Sequence, residues 1–315
     1  MKNGGKAIKA SEADYKGNRY SKRQQVAPYF FCAPYFIIFA TFSIFPILFS
    51  AYIALTDWSG VSQPVFIGLG NFSALIKDSK FYLSLFNTII FMIMIIPAQL
   101  FIGFVLAVLL THKKVPGKKV FRLMNFLPYL TTPIALGIIF GLLFDSNFGM
   151  VNELLKTLNI AAPRWTTSAI PAKALVAILT IWRYAGYTSI LFMAGITNIN
   201  TDLYEACQID GGNYFTIIRK IIIPLLKPVS IFVTITTMIG CFQIFEEPYM
   251  IFGVVAGKVV GGPENSVLTG MWYFYDSAFS KFKFGYGSAI GMGLFVIIAV
   301  ISFTANKIMH RGENK

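Results

Sequence analysis

Six long apolar runs constrain this chain more than any other feature of its sequence. A helix of about 20 residues rises about 30 Å, which is the thickness of the hydrocarbon core of a bilayer. Inside that layer the backbone must satisfy its own hydrogen bonds, and a helix does so within each run. Composition agrees, because only 13% of the residues are charged, compared with about 25% in soluble domains. The sequence therefore predicts an all-α, polytopic membrane protein.

Polar or basic loops separate the apolar runs, so each run is assigned as one membrane span. A basic tail at residues 1–27 precedes the transmembrane domain at residues 28–308, and a short tail at residues 309–315 follows it. Two loops contain amphipathic stretches that predict short surface helices at residues 72–76 and 151–158. The six predicted spans lie at residues 28–55, 86–110, 126–144, 174–196, 229–252 and 288–305.

The distribution of charge predicts the orientation of the chain in the membrane. With six spans, both tails and two loops share one side, which holds 18 of the 27 basic residues but only 6 of the 14 acidic ones. The three loops on the other side hold 8 of each, so the net charge is +12 on one face and 0 on the other. Cytoplasmic loops carry the excess of Lys and Arg. Both termini are therefore expected in the cytoplasm, with the basic residues near anionic membrane lipid and no nucleic acid as a partner.

A polar loop between the fourth and fifth spans, at residues 199–228, has the pattern of two short helices joined by a turn, and we call it the elbow. Asp202 and Glu205 have the spacing of a capping box, which predicts a helix that begins at Asp202. Two consecutive glycines from Gly211 onward favour the end of that helix, and Asn213 can begin a second one. An ordinary cytoplasmic helical hairpin shares these features, and it is the alternative interpretation of the elbow.

The elbow also matches a spaced motif, E-A-A-x-x-x-G followed after nine residues by I-x-L-P. Cys207 stands for an alanine and Ile223 for the leucine, and both replacements are conservative. The motif resembles the signature of the membrane subunits of bacterial ABC importers. Four further stretches are similar to the carbohydrate-uptake branch of that family, and in particular to the maltose-type larger permease subunit: Gly68–Phe72, Phe126–Tyr129, Asp202–Ala206 and Gly261–Pro263.

The resemblance implies a type I ABC importer permease fold, with six transmembrane helices and the elbow as a cytoplasmic coupling helix. It implies a second homologous permease subunit and two ATPase subunits that bind ATP and Mg²⁺, so no cofactor is expected in this chain. It further implies an extracellular solute-binding protein that delivers a sugar, expected to be an oligosaccharide, at the cell membrane of a bacterium or archaeon. Glu205 is the expected charged docking contact, and Gly211 allows the sharp turn. The implied coupling residues are Glu205, Ala206, Asp210, Gly211, Ile221 and Pro224.

Ionisable and aromatic residues within the spans are the candidates for contact with the sugar. Charged groups inside a membrane are costly and usually functional, and sugars need hydrogen-bonding groups for their hydroxyls and flat rings to stack on. The resemblance implies that the segment after Trp182 lines the sugar cavity. Family members often carry an asparagine where this chain has Cys241, so one polar contact of the family is missing. The expected cavity residues are Tyr129, Arg183, Tyr184, Tyr187, Gln243 and Glu246.

Each cavity residue also has a simpler interpretation that the sequence leaves open. The tyrosines are equally consistent with packing or with a position at the membrane interface. Arg183 is equally consistent with an ion pair to Glu246 or Glu247 and with direct contact to the sugar. Both glutamates lie near the predicted outer end of the fifth span, and solvation at the outer mouth is the favoured interpretation for Glu247.

Other function classes lack their motifs in this sequence. The phosphate-binding pattern G-x-x-x-x-G-K-[ST] does not occur. The only histidines are His112 and His310, and the three cysteines have no metal-binding spacing, so neither an enzyme nor a metal site is expected. An ion-driven secondary carrier remains an alternative, although no internal repeat is visible, and so does a channel or scaffold. A glycerol-phosphate-type importer is a further alternative, because Arg183 can bind a phosphate.

Overall fold

The computed structural model describes residues 22–112, 115–256 and 259–310, and these residues are almost entirely helical. Within this part of the chain, four helices are long and apolar enough to cross a membrane. Two helix pairs, each sharply bent at a short break, raise the number to six when each pair counts as one span. The all-α, polytopic fold predicted from the sequence is confirmed. Most of the predicted tails at residues 1–27 and 309–315 lies outside the described residues.

The first span belongs to a compact unit of its own, which ends at Tyr52. It consists of α1 (Lys22–Phe39), a π-helical turn (Ala40–Ile44) and α2 (Phe45–Ala54). The widened turn precedes Pro46. The backbone nitrogen of proline carries no hydrogen, so it cannot donate the hydrogen bond of a regular helix. Most of its large apolar side chains are exposed within the chain, as expected for a helix that is surrounded by lipid or by other helices.

The second unit, from Ile53 onward, contains one antiparallel ribbon and the remaining helices. The ribbon pairs β1 (Thr56–Asp57) with β2 (Val65–Phe66). Three π-helical segments and a 3-10 turn interrupt the helices at Ile218–Ile222, Tyr249–Val255, Asp276–Ser280 and Pro263–Asn265. The helices are α3 (Gly70–Ile76), α4 (Ser79–Thr111), α5 (Lys118–Leu130), α6 (Pro133–Leu143), α7 (Met150–Thr157), α8 (Ala169–Thr197), α9 (Thr201–Ile209), α10 (Tyr214–Ile217), α11 (Ile223–Leu225), α12 (Lys227–Phe242), α13 (Glu246–Pro248), α14 (Gly270–Tyr275) and α15 (Phe284–His310).

Helices α4 and α8 form the centre of this unit. The buried Gln99 amide donates a hydrogen bond to the Thr188 hydroxyl at 2.8 Å. Beside it, Gly103 faces the Thr188 side chain with no space for a Cβ atom, so the two backbones approach closely. Small residues at such contacts are typical of helix pairs in membranes. This pair is the frame on which the other spans are placed.

Two buried apolar clusters lie at opposite ends of the α4–α8 pair. One contains Phe91 of α4 and Leu175 of α8, near the beginning of each helix. The other contains Val108 and Phe192, near the end of each helix, and includes residues of the elbow. The two helices therefore run in the same direction, as the second and fourth spans of an alternating bundle must.

Two spans that the sequence predicts as single helices are broken in the structure. Helices α5 and α6 meet at 95°, within the span predicted at residues 126–144. The break arises because the Thr132 hydroxyl accepts the backbone N–H of Ala135 at 3.4 Å, which starts a new helix. In the fifth span, α12 ends before the predicted end at residue 252, and the Ile244 carbonyl accepts a hydrogen bond from the Thr269 hydroxyl at 2.5 Å. Predicting two straight spans here missed both breaks. The second bent pair in the count of six lies earlier, where Tyr214–Leu225 and Lys227–Phe242 meet at 62°.

At the end of the bundle opposite the elbow, Asp78 connects three helices. Its side chain caps α4 by accepting the Lys80 N–H at 2.8 Å, and Oδ2 accepts hydrogen bonds from the hydroxyls of Tyr273 and Tyr286. Burial raises the pKa of the Asp78 carboxyl, but these hydrogen bonds outweigh it and hold the pKa below its ordinary value. Burial and the hydrogen bond to Asp78 raise the pKa of Tyr273 to about 12.

Candidate functional site

A cavity of about 360 Å³ lies between α4, α8 and the end of α12. Five of the six expected cavity residues line it, and the sixth, Tyr129, does not. The wall contains backbone and side chains from the middle of α8 and from the segment that follows the end of α12. Its polar lining residues are Gln99, Thr180, Arg183, Tyr184, Tyr187, Thr236, Thr237, Gln243, Glu246 and Glu247.

Three tyrosines from α5 and α8 form an aromatic corner beside the cavity. Tyr129 stacks on Tyr187 with ring centres 4.8 Å apart and meets Tyr184 edge-on at 5.6 Å. Helix α5 can approach α8 this closely because Gly186 lies against the backbone carbonyl of Asn125. Tyr129 therefore supports the two lining tyrosines from behind, and Tyr184 and Tyr187 present rings to the cavity. Flat faces of this kind suit contact with the apolar faces of sugar rings.

Arg183 forms an ion pair with Glu247, a possibility that the sequence left open. Its Nη1 donates to Glu247 Oε1 at 2.6 Å, and the two side chains are only 12% and 7% exposed. The guanidinium carbon lies 5.1 Å from the centre of the Tyr184 ring. Glu247, which the sequence favoured as solvated, is instead buried, because the turn after α12 directs it toward α8. Among the described residues, Arg183 Nε has no hydrogen-bond partner.

Gln243 and Glu246 are the exposed polar residues at this end of α12. Gln243 caps the C-terminus of α12 through its backbone N–H, which donates to the Gly240 carbonyl at 2.9 Å. Its side chain and that of Glu246 both line the cavity. Cys241, which replaces the asparagine common in the family, also lines the cavity but is 2% exposed. A thiol is a weak hydrogen-bonding group, so the wall at Cys241 is close to apolar.

Sequence reasoning missed several polar lining residues. Gln99 was detectable as a lone amide inside the apolar run of the second span. Thr236 and Thr237 were not, because threonine is common in membrane helices, where its hydroxyl bonds back to its own backbone. Thr236 does so here, donating to the Phe232 carbonyl at 2.9 Å. Only the packing of α12 against α4 and α8 shows that these residues face a common space.

The elbow is a helix–turn–helix with a defined cap at each helix start. The first helix, α9, begins at Thr201 and is capped by Asn200, whose side chain accepts the Asp202 N–H at 3.1 Å. The capping role predicted for Asp202 is therefore wrong, because Asn200 precedes it in the cap position. The end of α9 follows the prediction. Gly211 has a φ of +78°, and the Gly212 N–H donates to the Cys207 carbonyl at 2.8 Å, which is a Schellman motif.

The second half of the elbow is anchored to the bundle. Asn213 caps α10 by accepting the Thr216 N–H at 2.9 Å. Ile217, Ile222 and Leu226 are buried in the same apolar cluster as the ends of α4 and α8. The predicted coupling residue Ile221 packs against this cluster, whereas Pro224 is exposed. The elbow is thus held by its second helix.

The first half of the elbow presents its surface outward. Glu205, Ala206, Asp210 and Gly211 are all exposed. Two large apolar side chains accompany them, Ile209 at 87% exposed and Phe215 at 68%. Exposed apolar side chains beside charged ones are typical of a protein–protein contact surface. Four of the five exposed predicted coupling residues therefore lie in the first half of the elbow, and Ile221 lies on the packed side.

Comparison with known proteins agrees with this architecture. Residues 67–311 match the family described as "Binding-protein-dependent transport system inner membrane component". The chain is 33% identical to the arabinooligosaccharides transport system permease protein AraP of Bacillus subtilis, over 95% of this chain and 93% of that protein. It is 34% identical to the lactose transport system permease protein LacF of Rhizobium radiobacter, over 87% and 90% of the respective chains.

The fold is also that of a solved importer. A chain of the bacterial alginate ABC transporter, crystallised in complex with an alginate pentasaccharide-bound periplasmic protein, superposes with a TM-score of 0.79. The superposition covers 93% of this chain and 97% of that chain at 19% sequence identity. The family match and the superposition agree with the helical membrane fold described above. The chain therefore belongs to the family of binding-protein-dependent transport system inner membrane components, the permease subunits of ABC importers.

Proposed function

We propose that this chain forms half of the translocation path of an ATP-driven importer for an oligosaccharide. Two relatives that match nearly the whole chain are named for arabinooligosaccharide and lactose transport. The cavity supports a saccharide, because it combines the aromatic faces of Tyr184 and Tyr187 with amide, hydroxyl and carboxylate groups. The other half of the path is a second permease subunit, and an external solute-binding protein delivers the sugar.

The observation that carries the proposal is that the elbow joins the two helices that line the cavity, α8 at its middle and α12 at its far end. Arg183 lies 14 residues before the end of α8 at Thr197, which corresponds to about 21 Å along a helix. Helix α12 begins at Lys227, directly after the elbow, and ends beside the cavity. A push on the elbow therefore moves both walls of the cavity together, as rigid-body rocking requires.

Energy for this motion comes from two separate ATPase subunits, which bind ATP and Mg²⁺. The exposed surface of α9 docks on one of them, with Glu205 as the charged contact and Ile209 as the apolar one. The elbow and both termini lie on the cytoplasmic side of the cell membrane, because the basic loops lie on that side.

Affinity purification of this chain from mild detergent tests the assembly. We expect a second six-span permease and an ATPase with a phosphate-binding loop to co-purify, and ATP to be required for oligosaccharide uptake by the reconstituted complex. If the chain is recovered alone and transports sugar in liposomes without ATP, a secondary carrier is the correct function. Uptake that survives deletion of the elbow would instead support a channel or scaffold.

A further inference from the structure

Three described side chains with a formal charge line the cavity: Arg183, Glu246 and Glu247. The sum of their charges determines the electrostatic potential that a solute meets in the cavity. The other polar lining groups are amides, such as that of Gln243, and hydroxyls, which hydrogen-bond without carrying charge. The selectivity of this wall for charged solutes therefore depends on which of the three charges is not neutralised by a neighbouring one.

Arg183 is not free. Its guanidinium is bound to Glu247 at 2.6 Å, and both side chains are nearly buried. The ring of Tyr184 covers part of the same guanidinium, at 5.1 Å from its central carbon. An anionic solute that bound the remaining N–H donors of Arg183 would lie beside the Glu247 carboxylate, which already neutralises the guanidinium charge. The pair therefore contributes no net charge to the cavity.

Glu246 is the remaining charged group. It precedes Glu247 in the chain, but its side chain is exposed, lines the cavity and forms no ion pair with any described residue. With Arg183 and Glu247 cancelling each other, the lining carries one negative charge. A water-filled cleft with low-dielectric walls strengthens the field of such a charge.

We infer that the cavity selects uncharged saccharides over anionic ones and that Glu246 sets this selection. The inference rests on the proposed function, because it specifies which saccharides the importer accepts. A carboxylated, sulfonated or phosphorylated sugar brings a second negative charge toward Glu246, and the described lining residues offer it no cation whose charge is not already neutralised. The hydroxyls of an uncharged sugar donate hydrogen bonds to the same carboxylate, and these are the stronger, charge-assisted kind.

The potential of the cavity can be measured directly with a thiol reporter in the assembled importer. Gln243→Cys places a thiol on the exposed wall, and the parent chain supplies the blank for the native cysteines. We compare its modification rates by a trimethylammonium and a sulfonate methanethiosulfonate, each divided by the rate for a free small thiol. The cationic reagent is expected to react about tenfold faster.

Three second-site variants test whether Glu246 causes the difference between the two modification rates. Glu246→Gln should bring the ratio of the two rates close to that of the free thiol, whereas Glu246→Asp, which keeps the charge, should preserve it. Glu153→Gln removes an exposed carboxylate on α7, outside the cavity lining, and should leave the ratio unchanged. A ratio near that of the free thiol in the parent, or one that Glu246→Gln does not alter, overturns the inference.

Binding of saccharides to the purified importer without its binding protein tests the selection itself. Arabinotriose is expected to bind at least about tenfold more tightly than trigalacturonate, and Glu246→Gln should strengthen trigalacturonate binding by a similar factor. Tighter binding of trigalacturonate to the unmodified protein overturns the inference. Absence of ATP-dependent uptake for every saccharide overturns the proposed function instead, and the reagent rates still report the charge of the cavity.

Discussion

Arg183 stands out in the sequence as a charge inside an apolar run, whereas its partner does not. Glu246 and Glu247 are adjacent, and no pattern distinguishes them. The bend after α12 decides between them, because it buries Glu247 against α8 and leaves Glu246 in the cavity. Half of the ten polar lining residues were thus predicted from residue type and family motif, but the pairing of charges depended on a backbone turn that the sequence does not specify.

Breaking the Arg183–Glu247 pair should destabilise the protein more than removing it. Arg183→Gln leaves a buried carboxylate without a cation and is expected to cost about 3–5 kcal/mol, whereas the double variant Arg183→Gln/Glu247→Gln should recover most of that loss. Thermal unfolding of the purified complex measures both. Lys156→Gln, which breaks the exposed pair with Glu153, is the control and should cost less than about 1 kcal/mol. Equal losses in the single and double variants would contradict a coupled pair.

The Asp78 cluster should confer a pH dependence on stability. The pKa of Tyr273 is raised to about 12, so its contribution is complete below its ordinary pKa of about 10 and is lost as the pH rises toward 12. The pKa of Asp78 is lowered, so its contribution is complete above the ordinary value and is lost in acid as the pH falls through the lowered pKa.

Thermal unfolding from pH 7 to 11 tests the alkaline part of this dependence. Tyr273→Phe should lower stability by about 1 kcal/mol at pH 7 and should weaken the decline above pH 10. Asp78→Asn should also be less stable at pH 7, because the hydroxyls lose an anionic acceptor. A decline of the same size in Tyr273→Phe and the parent would show that another group titrates there.

At the scale of elements, the sequence predicted the short surface helices and the end of α9, but not the breaks within two of the predicted spans. The surface helices α3 and α7 lie where their amphipathic patterns placed them, and the glycines end α9 as expected. The break at Thr132 does carry a local signal, a capping threonine followed by Pro133, and the break after Phe242 adjoins Gln243 and two glutamates. Assigning spans by hydropathy alone passes over such local signals, because it averages over a whole apolar run.

Close packing of α5 on α8 should depend on Gly186. An added methyl group there would overlap the backbone carbonyl of Asn125, so Gly186→Ala is expected to destabilise the protein by about 1–3 kcal/mol and to displace Tyr129 from Tyr187. Gly240→Ala provides a matched control, because Gly240 is also helical but has open space around its Cα. Comparable unfolding temperatures for the two variants would argue against this close contact.

The elbow should transmit ATPase closure to the cavity. Glu205→Lys reverses the exposed charge of α9, and Gly211→Asp forces a side chain into a backbone conformation with φ of +78°. Both variants are expected to insert and assemble normally but to lose most sugar-stimulated ATPase activity. Glu153→Lys makes the same charge reversal on α7 and should retain it. Full stimulation in both elbow variants would exclude the coupling role.

For the molecule as a whole, the polytopic helical fold followed from hydropathy, and the orientation is a prediction from charge. Neither property requires knowledge of side-chain packing, because both are set by transfer into the bilayer. The cavity could not be placed in this way, since it depends on how three helices meet. In the proposed assembly, half of the translocation path belongs to another subunit, and no sequence pattern in this chain describes that surface.

Reporter fusions test the predicted orientation. Alkaline phosphatase fused after residue 264, beyond the fifth span, should be active because it reaches the external side. The same enzyme fused after Lys315 should be inactive, and a green fluorescent protein at that position should fluoresce. The reverse pattern would place the elbow outside the cell and would remove the basis for coupling to a cytoplasmic ATPase.

The two broken spans have a consequence for the chain during its synthesis and insertion into the membrane. At the bends near Thr132 and Phe242, backbone groups leave regular helical pairing, and lipid cannot satisfy them as water or protein can. At the second break the Ile244 carbonyl is paired by the Thr269 hydroxyl, which lies 25 residues later in the same chain. The fifth span is therefore expected to reach its final form only after the segment that follows it has been synthesised and folded.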